Sequence, residues 1–225
     1  MKKLWFLLLA LPLVFAACDD DEGYSLGDFW VTTATVKTVG VRPYVLETDG
    51  GKRLFPSASN VPGFEVFNGQ RVWVNYTILE DGEGDVDHLV KVNDLSEMLT
   101  KGIFQLTPET TDSIGHDPLT INDYWISGDY LTVLFSYGGG QKIHFITLAQ
   151  DVEAPVNEDG LPVLEVRHNR NNDPVNYRLN GSVSFLLEDL RVDDSDEIRF
   201  VLRAKSPDGY SDFEEVLTYS YGEEG

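Results

Sequence analysis

The chain has 225 residues, of which 42% are hydrophobic and 12% aromatic, a composition that folds around a core rather than staying disordered. Its formal charge is −21, from 38 acidic against 17 basic residues, and so acidic a surface repels nucleic acid and anionic headgroups. One cysteine excludes any disulfide within the chain, so the fold stands on packing alone.

Lys2 and Lys3 open a segment that is apolar from Leu4 to Ala17, interrupted only by Pro12. A membrane-spanning helix needs about 20 apolar residues, so this run is too short to span and has the form of a secretory signal over residues 1–17. Phe15-Ala16-Ala17-Cys18 resembles the bacterial lipobox. The resemblance implies cleavage before Cys18 and diacylglycerol on its thiol; the alternative is an ordinary signal whose cut falls beside a cysteine. Each buried methylene of a lipid contributes ~0.8 kcal/mol, and two or more acyl chains make a stable membrane anchor.

Asp19, Asp20, Asp21 and Glu22 come next. Four consecutive acids cannot pack, so residues 18–27 read as a solvated tether. Their place directly after Cys18 resembles the surface-export signal of Bacteroidota lipoproteins, which implies an outer-membrane protein facing the cell surface. A tether that serves solubility alone would leave the protein facing the periplasm.

From residue 28 the pattern is β. Val31, Thr33 and Thr35 alternate with Trp30, Thr32, Ala34 and Val36, and the run is rich in β-branched residues. Asp49-Gly50-Gly51 supplies the positive-φ positions of a tight turn. Gln70 to Leu79 is the clearest strand, with Val72, Val74, Tyr76 and Ile78 on one face. Asp94 to Leu99 reads as one helical turn, with Asp94 as N-cap and Glu97 three residues on. Short strands of this spacing over residues 28–100 fit a small barrel of the oligonucleotide/oligosaccharide-binding (OB) type.

The polar stretch Thr107 to Pro118, punctuated by Pro108, Gly115 and Pro118, reads as a boundary segment. Beyond it, candidate strands recur to the C-terminus, separated by turns such as Gly128-Asp129, Gly138-Gly139-Gly140 and Pro207-Asp208-Gly209. Residues 101–225 therefore read as an immunoglobulin-like β-sandwich without a bracing disulfide, and the fold class is all-β.

Asp28-Phe29-Trp30-Val31-Thr32-Thr33, Gly69-Gln70-Arg71-Val72-Trp73-Val74-Asn75-Tyr76, Asp123-Tyr124-Trp125-Ile126 and Tyr130-Leu131-Thr132-Val133 together resemble the NigD-like lipoproteins of Bacteroidota. The resemblance covers nearly the whole chain. It implies an N-terminal OB-like barrel, a C-terminal β-sandwich and an envelope location; it carries no catalytic residues.

Local catalytic signatures are absent from the sequence. His88, His116, His144 and His168 show no H-x-x-x-H or H-E-x-x-H spacing, and there is neither a G-x-S-x-G elbow nor a phosphate-binding glycine loop. Asp81, Glu83, Asp85 and Asp87 alternate like the first half of a calcium loop, but Val86 stands where the sharp turn needs glycine. Asp193, Asp194, Asp196 and Glu197 form a second acidic loop. The stretch from His168 to Asp173 is a polar loop whose amides and Arg170 suit either sugar hydroxyls or simple turn capping. Ser113, between Asp112 and Ile114, fits a permissive O-glycosylation pattern. Arg42, Lys52, Arg53 and Arg71 are too few and scattered for a nucleic-acid groove.

These features make the expected function that of a lipid-anchored, non-catalytic envelope module that binds a glycan or a protein, without a cofactor. The alternative is an envelope hydrolase whose site is assembled from His116, His144 and His168 with carboxylates. A pocket gathering Tyr124, Trp125 and Tyr137 would mark the binding site.

Overall fold

The computed structural model describes residues 23–38, 44–207, 209 and 211–221. Cys18, Asp19, Asp20, Asp21, Glu22, Arg42 and Asp208 lie outside the described residues.

The first half is a closed barrel of β1 (Trp30–Thr38), β2 (Tyr44–Thr48), β3 (Arg53–Ser59), β4 (Arg71–Asp81) and β5 (His88–Glu97), in the order β1-β2-β3-β5-β4. Alternation along β4 does what its sequence requires: Val72, Val74, Tyr76 and Ile78 point into the barrel and are buried with Ala34, Val36, Leu46, Leu54, Val90 and Val92. Closure leaves no free sheet edge in this half. The expected helical turn at 94–99 does not form. β5 continues through it, pairing Asp94 with Asn75 and Leu95 with Val74, and Leu95 joins the barrel core. A few tenths to 2 kcal/mol of capping yields to a buried leucine and ladder bonds.

The second half is a sandwich of two sheets. One has the order β14-β13-β11-β10-β7, built from β7 (Ile103–Leu106), β10 (Phe145–Asp151), β11 (Val163–Asn169), β13 (Glu197–Ala204) and β14 (Phe213–Ser220). The other has the order β6-β12-β9-β8, built from β6 (Thr100–Lys101), β8 (Thr120–Ser127), β9 (Tyr130–Gly139) and β12 (Tyr177–Leu186). Between them lies a continuous core that includes Leu131, Val133, Phe135, Leu148, Val166, Val183, Phe185, Phe200 and Tyr219. Segment 107–118 connects β7 to β8 and so lies within the sandwich rather than between the halves. It is also pinned there: Asp117 and Leu119 amides donate to the carbonyls of His168 and Lys205, and the short helix α1 (Thr111–Ile114) packs beside β11.

Strand alternation also decides how the halves meet. On β9 and β12 the residues between the core positions, Thr132, Leu134 and Ser136 with Asn180, Ser182 and Ser184, face away from the sandwich core. On β4 the outward residues are Arg71, Trp73 and Asn75. The barrel rests these against that outward sheet face: Arg71 reaches Thr132 and Ser184, and the Trp73 indole N–H donates to Ser182 Oγ at 3.2 Å.

Candidate functional site

The junction is organised by a charge that the sequence pattern did not single out. Arg71 has no exposed side-chain surface and donates from Nη1 to Asp49 Oδ1 at 2.5 Å and from Nη2 to Asp49 Oδ2 at 2.6 Å. The same carboxylate accepts from Thr33 Oγ1 at 2.5 Å and from the Trp125 indole at 2.6 Å. Burial pushes the Asp49 carboxyl up, but the bonds from Arg71 and Thr33 outweigh it and hold the group below the usual carboxylate range. Asp49 reads locally as a turn residue, and Gly51 does take the positive φ of that turn; its carboxylate nevertheless belongs to the domain junction.

The sandwich brings together two histidines that lie far apart in sequence. His144 Nδ1 is 2.8 Å from His168 Nε2, and His144 Nε2 is 3.1 Å from Asp173 Oδ2. His168 Nδ1 lies 3.2 Å from the Pro118 carbonyl, and Asp173 also accepts from the amides of Gly140 and Gln141. The hydrogen-bond roles can be worked out from one end. A carbonyl only accepts, so His168 carries its proton on Nδ1. Burial lowers the His168 pKa, which keeps that ring neutral, and its Nε2 then accepts from His144 Nδ1–H. For Asp173, burial acts to raise the pKa, yet the Gly140 amide and His144 outweigh it and keep the carboxylate ionised. His144 bridges this neutral ring and the carboxylate. Gly139 makes this possible: a Cβ there would lie 2.7 Å from His144 Cε1.

This chain draws three segments together but presents no nucleophile. Its far end is a backbone carbonyl, and His144, His168 and Asp173 are all buried side chains. Among the described residues no hydroxyl is bonded to either ring. His116 pairs instead with Glu165 at 2.7 Å, and His88 lies in the barrel beside Asp81.

Two open clefts flank these features. The larger, about 570 Å³, lies at the end of the sandwich against Tyr137 and is lined by Arg170, Arg178, Asn176 and Tyr177 among others. The smaller, about 400 Å³, lies at the junction between Trp73 and the outward sheet face, with Asn122, Leu134, Asn180 and Ser182. Of the aromatics marked in the sequence, Tyr137 lines the larger cleft, Trp125 is committed to Asp49, and Tyr124 packs on Phe213 with ring centroids 5.6 Å apart. The three are not gathered in one pocket.

The acidic loop is bound up in protein contacts. Asp85 meets Arg53 at 2.6 Å, Asp87 meets Lys52 at 3.0 Å and the Arg53 amide at 2.8 Å, and Asp81 accepts from Tyr24 at 2.5 Å. The Arg53 amide and Lys52 hold the Asp87 carboxyl below its usual range. Glu83 is exposed on the same loop. Among the described residues no group of His, Cys, Asp or Glu is arranged to hold a metal ion. Ser113 is exposed on α1, where its hydroxyl donates to the Thr110 carbonyl at 2.8 Å. No described helix is long and apolar enough to cross a membrane.

The comparisons with known proteins follow the two halves. Residues 33–98 match the NigD-like N-terminal OB domain, and residues 102–217 match the NigD-like C-terminal beta sandwich domain. Among curated proteins none matches the chain. A crystal structure from Parabacteroides distasonis, described as toxin-related, is 33% identical with a TM-score of 0.73, over 86% of this chain and 94% of its own. A protein of unknown function from Bacteroides vulgatus is 28% identical with a TM-score of 0.71, over 88% of this chain and 93% of its own. A NigD-like immunity protein from Bacteroides caccae shares the fold at 19% identity and a TM-score of 0.64, over 88% of this chain and 98% of its own. With both domain types matched in order across most of its length, this chain belongs to the NigD-like family.

Proposed function

We propose that this protein is a lipid-anchored component of the bacterial outer membrane, held by Cys18 and facing the cell surface, that works as a non-catalytic binding module for an envelope glycan or protein. The observation that carries the binding role is the pair of open clefts on one side of the sandwich, lined by amides, hydroxyls, guanidinium groups and aromatic rings. Aromatic and amide side chains on a rigid β scaffold are suited to holding a polar ligand without changing it. The four like charges from Asp19 to Glu22, next to Cys18, suit a solvated spacer between the anchor and the domains. Ser113, exposed on α1, is open to glycosylation in this setting.

The test is capture. Full-length chain immobilised in detergent should enrich one glycan or protein from envelope extracts over a control displaying only residues 1–27. Repeated failure to enrich anything over that control counts against a binding module.

A hydrolase is favoured by one observation, the convergence of His144, His168 and Asp173. General acid–base work requires a group within reach of substrate, and this chain is buried and ends on the Pro118 carbonyl. Turnover of ester or glycoside substrates that disappears in His144→Gln would establish the hydrolase in place of the binding module.

A further inference from the structure

The two clefts adjoin. Ser136 lines the larger and Asn122 the smaller, and the Ser136 hydroxyl donates to Asn122 Oδ1 at 3.2 Å. Arg178 then donates to Ser136 Oγ at 2.8 Å. On β12, Ser182, Asn180 and Arg178 are alternate residues on the same outward face, and Asn180 pairs directly with Ser136. At about 3.4 Å per residue, this row alone gives a floor roughly 14 Å long. The row runs from Ser182, beside Trp73 at the domain junction, to Arg178 at the sandwich end.

Taking the binding role as given, we propose that the two adjoining clefts together form an oligosaccharide site, and that Arg178 and Arg170 select a carboxylate-bearing sugar at its outer end. Several features lead to this ligand class. Asn122, Asn180 and Ser182 offer donors and acceptors side by side along the floor, the mixture that sugar hydroxyls need. Trp73 places an aromatic ring at the junction end, where a sugar's apolar C–H face can lie. A peptide would more naturally add to a sheet edge, but the groove crosses a sheet face. Charge gives the rest. In a chain of 38 acids and 17 bases, guanidinium groups in an open cleft stand out. Among the described residues no carboxylate pairs with Arg178, which is exposed. Arg170 has only Asp117, at 3.4 Å, and its Nε is buried without a hydrogen-bond partner. A guanidinium fork matches a carboxylate in shape as well as in sign. Asp117 lines the same cleft and disfavours a doubly charged phosphate.

The experiment is calorimetric titration of the full-length protein with tetrasaccharides of galacturonic, glucuronic and mannuronic acid, and with their methyl esters. Esterification removes the charge and keeps the hydroxyls. At least one acid should bind, its ester should bind about tenfold more weakly, and Arg178→Gln should weaken the acid by a similar factor. The Gln variant alters an exposed side chain, and an unchanged thermal transition shows that it folds. Acid and ester binding equally, or Arg178→Gln leaving the acid unaffected, overturns the role of the arginines. Binding of none of the acids, or equal competition by a glutamate-rich peptide, overturns the oligosaccharide site. The binding module itself survives that result if envelope extracts still yield a captured ligand.

Discussion

Arg71 of the barrel holds Asp49 through two hydrogen bonds while Thr132 and Ser184 of the sandwich close over it, leaving the arginine with no exposed side-chain surface. Asp49 in turn accepts from Trp125 across the junction. One ion pair thus fastens the two domains from both sides. Breaking it from one side leaves a buried charge without a partner, at a cost of about 3–5 kcal/mol. Arg71→Met should therefore lower the denaturant midpoint sharply and separate unfolding into a barrel and a sandwich transition. The double variant Arg71→Met with Asp49→Leu should recover much of the loss, because no unpaired charge remains. Equilibrium urea unfolding followed by Trp fluorescence checks both. A single transition at the wild-type midpoint in Arg71→Met would show that the pair is dispensable.

The fold was readable where a residue's role depends on its neighbours in the strand. Val72, Val74, Tyr76 and Ile78 announce the inner face of β4 by alternation alone, and all are buried as that pattern requires. Asp49 could not be read this way. A local Asp-Gly-Gly explains itself as a turn, and nothing nearby indicates that Arg71 and Trp125 converge on its carboxylate. The same limit hid the histidine pair. His144 lies just before β10 and His168 on the neighbouring β11, where Ile146 rather than His144 is the residue paired with His168. Their contact is made by rings turned toward Asp173 and Pro118, groups brought in by two separate loops. The groove floor was hidden for another reason. Ser136, Asn180 and Ser182 look like ordinary solvent-facing strand residues until the barrel is docked beside them.

The histidine chain makes stability depend on pH, with a sign that follows from His168. Burial depresses its pKa in the folded state, so the unfolded chain takes up that proton first as pH falls. The stabilisation is fully present above the unfolded value of about 6.5 and is lost as pH drops from there through the folded pKa. Protonation of His168 would also set N–H against N–H across the 2.8 Å contact with His144. Asp173 also has a depressed folded pKa, but its contribution is lost only below the ordinary carboxylate range. The urea midpoint should accordingly fall between pH 7.5 and pH 5.5. His168→Gln should be less stable at pH 7.5 and should flatten that part of the profile. A wild-type midpoint that does not change over this interval would refute the protonation assignment.

Lipid anchoring by Cys18 has a direct test because the chain has no other thiol. Cys18→Ala should abolish acylation and block the normal cleavage, leaving an unprocessed precursor. Two acyl chains give stable membrane attachment, whereas the folded domains contain no described helix able to span a bilayer. In detergent phase separation, the wild type should enter the detergent-rich phase. The variant should lose acyl-chain labelling and run at the larger precursor mass. Unchanged labelling and processing in the variant would place the anchor elsewhere.

The proposed surface location makes a prediction about the tether. Asp19, Asp20, Asp21 and Glu22 are consecutive acids, and like charges in a row repel one another and favour an extended, solvated chain. An extended tether would aid solubility on either side of the membrane, so charge alone does not decide the face. The proposed surface location rests on position: the acids begin immediately after Cys18, where an export machine handling the acylated end would meet them first. Replacing Asp19, Asp20 and Asp21 with alanine leaves Cys18 and the residues before it intact, so acylation and cleavage should continue. The variant should instead be retained on the periplasmic side. Protease added to intact cells should digest the wild type and spare the triple variant, and both should be digested after lysis. Protection of the wild type in intact cells, with digestion after lysis, would mean that the protein faces the periplasm and that the acidic run serves only as a solvated spacer.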